Sequence, residues 1–244
     1  MDGSRDRETR QHAVLIVETD IASRLALEHL FSVILRQPLR ACADCSEAMG
    51  LLAEGCRPAM AIVGKCDRAG ADLELIACAA AVGVRVIALD WLERPEQAAE
   101  AFLAGACDVV RVPFTLKEMA LRFRARLVGS PGVGLAGNWS DELDFDADWE
   151  AEADIALRAG LTAAEAQVVH ILISRSGHIV TRDELSHAID QRPWAYGDRK
   201  FDVHIAKIRK KLTAAFGHRI AVRTERASGY RMTWASDESP ASGT

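Results

Sequence analysis

Between Ala13 and Leu127, short runs of consecutive apolar residues alternate with segments whose apolar positions recur every three or four residues. The runs Ala13 to Val17, Pro38 to Ala43, Ala59 to Val63, Val84 to Leu89 and Cys107 to Val112 predict strands. Their nearly unbroken apolar character is that of strands covered on both faces. The intervening segments, Ile21 to Leu35, Ser46 to Ala53, Ala71 to Ala81, Pro95 to Leu103 and Leu116 to Leu127, predict helices. Strands and helices in strict alternation predict an α/β domain with a parallel sheet between two helical layers, a flavodoxin-like (βα)5 plan.

The pattern then changes class. Gly129 to Gly137 reads GSPGVGLAG, which offers no packing face and predicts a linker over 129–141. Beyond it, DELDFDADWEAEADIAL predicts short strands, followed by three helical segments and a terminal hairpin. Thr162 with Glu165, and Thr181 with Glu184, fit the S/T-x-x-E capping box at two helix starts. In the third segment Phe201, Ile205, Ile208 and Leu212 form one apolar stripe, while Arg199, Val203, Ala206, Lys207 and Lys210 project from the opposite side. The runs Ile220 to Val222 and Tyr230 to Trp234 flank a turn at Ser228-Gly229. A helix with one free face followed by a β-hairpin predicts an α+β winged helix-turn-helix. The expected organisation is a disordered N-terminus over 1–11, a first domain over 12–128, the linker, a second domain over 142–235 and a disordered tail over 236–244.

The chain has 244 residues and a formal net charge of −5, so a uniform charge distribution would repel nucleic acid. The charge is not uniform. Between Asp198 and Arg231 lie Arg199, Lys200, Lys207, Arg209, Lys210, Lys211, Arg219, Arg223, Arg226 and Arg231, opposed by Asp198, Asp202 and Glu225. That concentration on a helix and its hairpin has the form of a nucleic-acid footprint. No apolar run reaches the ~18 residues of a membrane span, and MDGSRDRETRQ is too polar for a secretory signal, so a cytoplasmic address without membrane association is expected.

All six cysteines, Cys42, Cys45, Cys56, Cys66, Cys78 and Cys107, lie in the first half of the chain. A cytoplasmic address argues for reduced, buried thiols and against structural disulfides. Cys42 and Cys45 form a CxxC, but no second CxxC or nearby histidine completes a zinc set, so no metal and no cofactor are expected.

The stretches LTAAEAQVVHILISRSGHIVTRDEL, GDRKFDVHIAKIRKKL and VRTERASGYRM closely resemble the C-terminal winged-helix domain of OmpR/PhoB-family response regulators. The resemblance implies a helix entering the major groove of double-stranded DNA and a wing arginine reaching the minor groove. By position it makes Lys207 the leading base contact, Val203 a thymine-methyl contact and Arg226 the wing residue. Arg199, Lys200, Arg209 and Lys210 take the place of phosphate contacts. Where relatives often carry two basic residues, this chain has Ala206-Lys207, which implies a different preferred site. Asp202 and His204, toward the flank, are expected to be structural. The loop DQRPWAYG corresponds to a segment that often meets RNA polymerase, which makes Trp194 and Tyr196 candidates for that contact, with packing of Trp194 on its own domain the alternative.

The first domain resembles a receiver whose chemistry is missing. A working receiver of a two-component system has an acidic pair after its first strand, an aspartate ending the third, a hydroxyl ending the fourth and a lysine before Pro-Phe after the fifth. Here those positions hold Glu18-Thr19, Gly64, Asp90 and Val112. Gly64 has no nucleophile, Asp90 would repel a phosphoryl group, and Val112 cannot neutralise one. The expectation is a pseudo-receiver that aspartyl phosphorylation does not switch, Asp67 being a poor displaced acceptor. The family's two-fold dimer face implies Asp108, Lys117, Glu118 and Arg122 as interface residues. With no nucleophile-base pair or phosphate-binding loop, an enzyme is not expected. The leading reading is a phosphorylation-independent, sequence-specific DNA-binding transcription regulator, dimeric on repeated half-sites. The alternatives are a sensor of redox state, metal or ligand through the cysteine-containing domain, and an RNA polymerase partner with auxiliary DNA contacts.

Overall fold

The computed structural model describes residues 13–91, 96–127, 146–175, 177–226 and 228–235. The expected disordered N-terminus, the linker and the tail lie outside the described residues. The chain divides into two compact units, Met1–Leu143 and Asp144–Thr244.

In the first unit, β1 (Val14–Val17), β2 (Leu39–Cys42), β3 (Met60–Val63), β4 (Arg85–Asp90) and β5 (Asp108–Arg111) form a parallel sheet of order β2-β1-β3-β4-β5. The helices are α1 (Ile21–His29), α2 (Cys45–Ala53), α3 (Ala71–Ala81), α4 (Gln97–Ala104) and α5 (Leu116–Leu127). Strand order reverses at β1, so the crevice beyond the strands' carboxyl ends is the topological switch point of this doubly wound, flavodoxin-like unit. The central strands β1 and β3 are buried along their whole length, as their unbroken apolar runs require. Val17 is in register with both Cys42 and Val63, which brings the ends of β1, β2 and β3 level with one another.

The second unit contains α6 (Trp149–Arg158), α7 (Ala163–Ser174), α8 (Arg182–Asp190), α9 (Lys200–Phe216), β6 (Ile220–Glu225) and β7 (Gly229–Trp234). Strands β6 and β7 pair antiparallel from Ile220↔Trp234 to Glu225↔Gly229. Both capping boxes form: the Thr162 and Thr181 hydroxyls accept from the Glu165 and Glu184 N–H groups, and each glutamate accepts from its threonine N–H.

One expectation is overturned. The strands predicted across 141–157 give way, from Trp149 onward, to helix α6. Asp148 caps it by accepting from Ala151 N–H at 3.0 Å, and Trp149, Ala153 and Ala156 recur at helical spacing on a buried face. Glu150 and Asp154 face outward, where Asp154 forms an i, i+4 ion pair with Arg158, while Glu152 is buried against His170 Nδ1 at 2.6 Å.

Candidate nucleic-acid interface and the strand-end residues of the first unit

Helix α9 is amphipathic in the sense its sequence dictates. Phe201, Ile205, Ile208 and Leu212 are each at most 1% exposed and form the centre of the second core with Val169, Leu172, Val222 and Tyr230. Burial of each such side chain contributes roughly 1.5–3 kcal/mol, which fixes the helix's rotation about its axis. Arg199, Val203, Ala206, Lys207 and Lys210 are consequently exposed, with Val203 at 51%. Arg226, at the hairpin end, is exposed as well.

Two of the basic candidates are engaged within the protein. Lys200 Nζ donates to Asp190 Oδ1 at 2.5 Å, tying the start of α9 to the end of α8. Arg209 donates through Nε to the Val222 carbonyl at 2.7 Å and through Nη2 to Thr224 Oγ1 at 2.6 Å. Arg209 therefore braces the wing against α9. Its signal in the sequence was indistinguishable from that of Lys207, because a brace and a groove contact both use an arginine or lysine on the helix surface.

Asp202 is the other joint. It accepts from Arg182 Nη2 at 2.7 Å and from the Tyr230 hydroxyl, joining α9, α8 and β7 at one carboxylate. The Arg182 guanidinium also lies 4.9 Å from the centre of the Tyr230 ring. The Tyr230 and Arg182 hydrogen bonds hold the Asp202 carboxyl below its ordinary range, while burial, followed by the Asp202 hydrogen bond, pushes the Tyr230 phenol up to about 12. His204 is held below its ordinary value by burial and then by Lys200.

The two loop aromatics meet edge to face, with ring centres 6.2 Å apart, but differ in burial. Trp194 packs on the second core and donates its indole N–H to the Asp198 carbonyl at 3.1 Å, whereas Tyr196 is 99% exposed.

In the first unit, Glu18, Thr19, Gly64, Asp90 and Val112 all lie at or just beyond strand ends. Glu18 follows β1 and is fully buried. Its Oε1 accepts from Asp20 N–H at 2.8 Å, and its Oε2 accepts from Lys65 N–H and the Trp91 indole N–H, both at 3.2 Å. Gly64 follows β3, and a Cβ there would overlap Glu18 Oε2 and lie 2.9 Å from Glu18 Cδ. The glutamate thus occupies the room that a side chain at residue 64 needs. Burial pushes the Glu18 carboxyl above its ordinary value, and the three N–H donors draw it partly back.

These donors decide against the Mg²⁺ that a receiver implies. N–H groups converge on both Glu18 oxygens, Gly64 supplies no oxygen ligand from a side chain, and Asp20 caps α1 by accepting from Ser23 N–H at 2.8 Å. The residues present do not fit the cation. Asp90, at the hydroxyl position, is 3% exposed and pairs with Arg111 at 3.2 Å. Thr19 and Val112 are half-buried, and Val112 N–H donates to the Asp90 carbonyl at 2.7 Å.

The candidate dimer face pairs its charges inside one chain. Arg122 binds Asp108 at 3.0 Å and Glu118 at 2.9 Å, and Arg126 binds Asp108 at 3.1 Å. Burial alone would raise the Asp108 carboxyl, but Arg126, the Val109 N–H and Arg122 bring it below its ordinary value. Lys117 is half-buried on α5.

The expectation of reduced thiols throughout is corrected. Cys45 and Cys66 are disulfide-bonded, with Cα atoms 6.0 Å apart, and Cys42, Cys56, Cys78 and Cys107 are free. The CxxC pairs neighbours in sequence, and these do not bond. The sheet instead aligns Cys42 and Val63 on Val17, and Cys45 and Cys66 each lie three residues beyond those strand ends.

Residues 158–232 match the family described as transcriptional regulatory protein, C terminal. The second unit is an OmpR/PhoB-type DNA-binding domain. Among curated relatives, the chain is 27% identical to the transcriptional activator protein PfeR of Pseudomonas aeruginosa over 60% of this chain and 49% of PfeR. It is 29% identical to the heme response regulator HssR of Staphylococcus epidermidis over 54% of this chain and 58% of HssR. Similarity to the regulatory protein VirG of Agrobacterium tumefaciens is 27% identity over 89% of this chain and 83% of VirG. The chain spans about half the length of PfeR and somewhat more of HssR. The receiver domain of NtrX from Brucella abortus superposes with a TM-score of 0.43 at 19% identity, covering 48% of this chain and 99% of that domain. The OmpR/PhoB-type domain places its exposed basic face on α9 and the hairpin, with Asp202 and Arg209 fixing one to the other. Among the described residues, no helix is long and apolar enough to cross a membrane.

Proposed function

We propose that the protein is a sequence-specific DNA-binding transcription regulator that acts without aspartyl phosphorylation. The observation that carries this reading is the exposed set Arg199, Val203, Lys207 and Lys210 on α9 with Arg226 on the hairpin, presented by an OmpR/PhoB-type domain. A helix in the major groove would place Lys207 and Val203 against base edges, Arg199 and Lys210 against phosphates, and Arg226 in the minor groove. Arg209 and Lys200 support that surface from within the protein.

Phosphorylation independence is supported by Glu18 filling the space at Gly64 and by the Asp90–Arg111 pair at the hydroxyl position. Dimerisation on repeated half-sites is supported by the apolar side chains that α4 and α5 expose, Phe102, Leu103 and Leu121, flanking the Asp108–Arg122 network. Tyr196 is the side chain we assign to an RNA polymerase contact; Trp194 serves its own domain. A cytoplasmic location follows from this function.

The test is retention of duplex genomic DNA by the untreated protein across a salt series. Binding that weakens steeply with salt, and weakens in Lys207→Ala, supports the reading. Light scattering at micromolar concentration tests the dimer, and a monomer counts against it.

A further inference from the structure

We propose that Cys45 and Cys66 form a reversible thiol–disulfide couple that controls the order of the segment Gly64 to Gly70. This deepens the redox-sensing alternative for the first unit, on which it rests, and does not depend on DNA binding.

Three observations meet here. The bridge joins the first residue of α2 to the loop after β3, across a sequence separation of 21. That loop also holds Glu18 and its surroundings: Lys65 N–H donates to Glu18, Lys65 O accepts from Thr19 N–H at 3.0 Å, and Lys65 Nζ lies 5.4 Å from the Trp91 ring centre. Beyond Cys66 the loop is thinly held. Asp67, Arg68 and Ala69 are exposed, and the stretch is anchored by the exposed Arg68–Glu74 pair and by bonds from Ala71 N–H to the Arg68 carbonyl and from Glu74 N–H to the Gly70 carbonyl. Such a segment opens at low free-energy cost unless a covalent tie holds it. A cross-link at Cys66 therefore acts on the same loop that an aspartyl phosphate would modify in a working receiver.

The two sulfurs are unequal in a way that suits exchange. Cys66 is half-buried and can be reached from solvent, whereas Cys45, the first residue of α2, is 1% exposed, so an external thiol meets Cys66 first. In reduction, an external low-molecular-weight thiolate attacks Cys66 Sγ, the Cys45–Cys66 bond breaks, and Cys45 leaves as the thiolate. A second thiolate attacks the external sulfur of the mixed disulfide and releases Cys66. Oxidation by a low-molecular-weight disulfide runs the same steps backwards, one disulfide consumed and two thiols released for each bridge formed. Cys42 lies in the same core cluster, but burial pushes its thiol up to about 11, so it remains protonated and does not compete.

The experiment uses the full chain, poised with excess reduced or oxidised glutathione. Thiol titration after denaturation should count six thiols in the reduced state and four in the oxidised state. Peptide mapping of the oxidised protein should find Cys45 linked to Cys66. Hydrogen exchange of the amides from Cys66 to Ala71 should be about tenfold faster in the reduced protein, with β1, β3 and β4 unchanged. Cys66→Ser should show the fast exchange in both buffers, and Cys42→Ser should respond as the parent does. Six thiols in oxidised glutathione, a linkage through Cys42, or equal exchange in the two states would overturn the proposal. So would loss of protection throughout the sheet on reduction, since the bridge would then be a structural staple and not a local switch.

Discussion

Glu18 and Gly64 compete for one space: the glutamate carboxylate lies where a Cβ at residue 64 would have to go. Receiver chemistry needs an aspartate at that position, and here the missing side chain is what admits Glu18 to its three N–H donors. The two positions should be energetically coupled. Gly64→Ala should destabilise the first unit by roughly 1–3 kcal/mol through overpacking. Glu18→Ala should cost roughly 1–3 kcal/mol by leaving buried donors unpaired. The double variant should cost less than the sum, because removing the carboxylate opens the space the new methyl needs. Urea unfolding of the four proteins measures the cycle, and strict additivity would show that the two side chains do not share the site.

Acetyl phosphate should leave no stable phosphoryl group on the chain. Asp67 is an exposed carboxylate three residues beyond Gly64, and Asp90, at the end of β4, is an acid itself paired with Arg111. Intact-mass measurement checks this. A phosphoprotein lost in Asp67→Ala would contradict it.

Lys207 and Arg209, two residues apart on α9, should separate binding from stability. Arg209→Ala removes two hydrogen bonds to β6 and should cost roughly 1–2 kcal/mol and speed amide exchange in the hairpin. Lys207 is exposed on the outer face of α9, so Lys207→Ala should alter stability by less than roughly 0.5 kcal/mol while weakening DNA binding. Thermal unfolding and DNA titration of both variants check the split.

The second unit should lose stability in acid through Asp202. Its carboxyl is held below its ordinary 3.8 by Tyr230 and Arg182, so the folded state favours the ionised form. That contribution is fully present above pH 3.8 and is lost as pH falls through the lower folded value. Asp202→Asn should remove this acid-sensitive step and lower stability at neutral pH, as followed by chemical unfolding between pH 3 and pH 7.

Much of this was legible in the sequence because local rules and the fold agree. The apolar runs gave the strands, the Thr162–Glu165 and Thr181–Glu184 pairs gave two helix starts, and the stripe from Phe201 to Leu212 gave the rotation of α9. What escaped depends on distance in space. The Glu18 carboxylate reaches residue 64 across the sheet, Cys45 meets Cys66 through strand register, and Arg209 finds the Val222 carbonyl through the path of the hairpin. Helix α6 is hidden in the sequence for a different reason. The dense acidic residues between Asp141 and Asp154 masked the 3.6-residue period, which emerges only once Trp149 is known to be buried. Trp194 and Tyr196, alike in the sequence, differ in burial because the Trp194 indole N–H reaches the Asp198 carbonyl and its ring packs on the second core.

The most direct test is selection of genomic fragments by the purified, untreated, reduced protein at near-physiological salt, with the Lys207→Ala/Arg226→Ala double variant in parallel. The account predicts enrichment of a repeated motif by the parent protein and loss of that motif in the double variant, without any phosphoryl donor. Salt-sensitive retention of DNA with no enriched motif, or a motif that appears only after acetyl phosphate treatment, would contradict it.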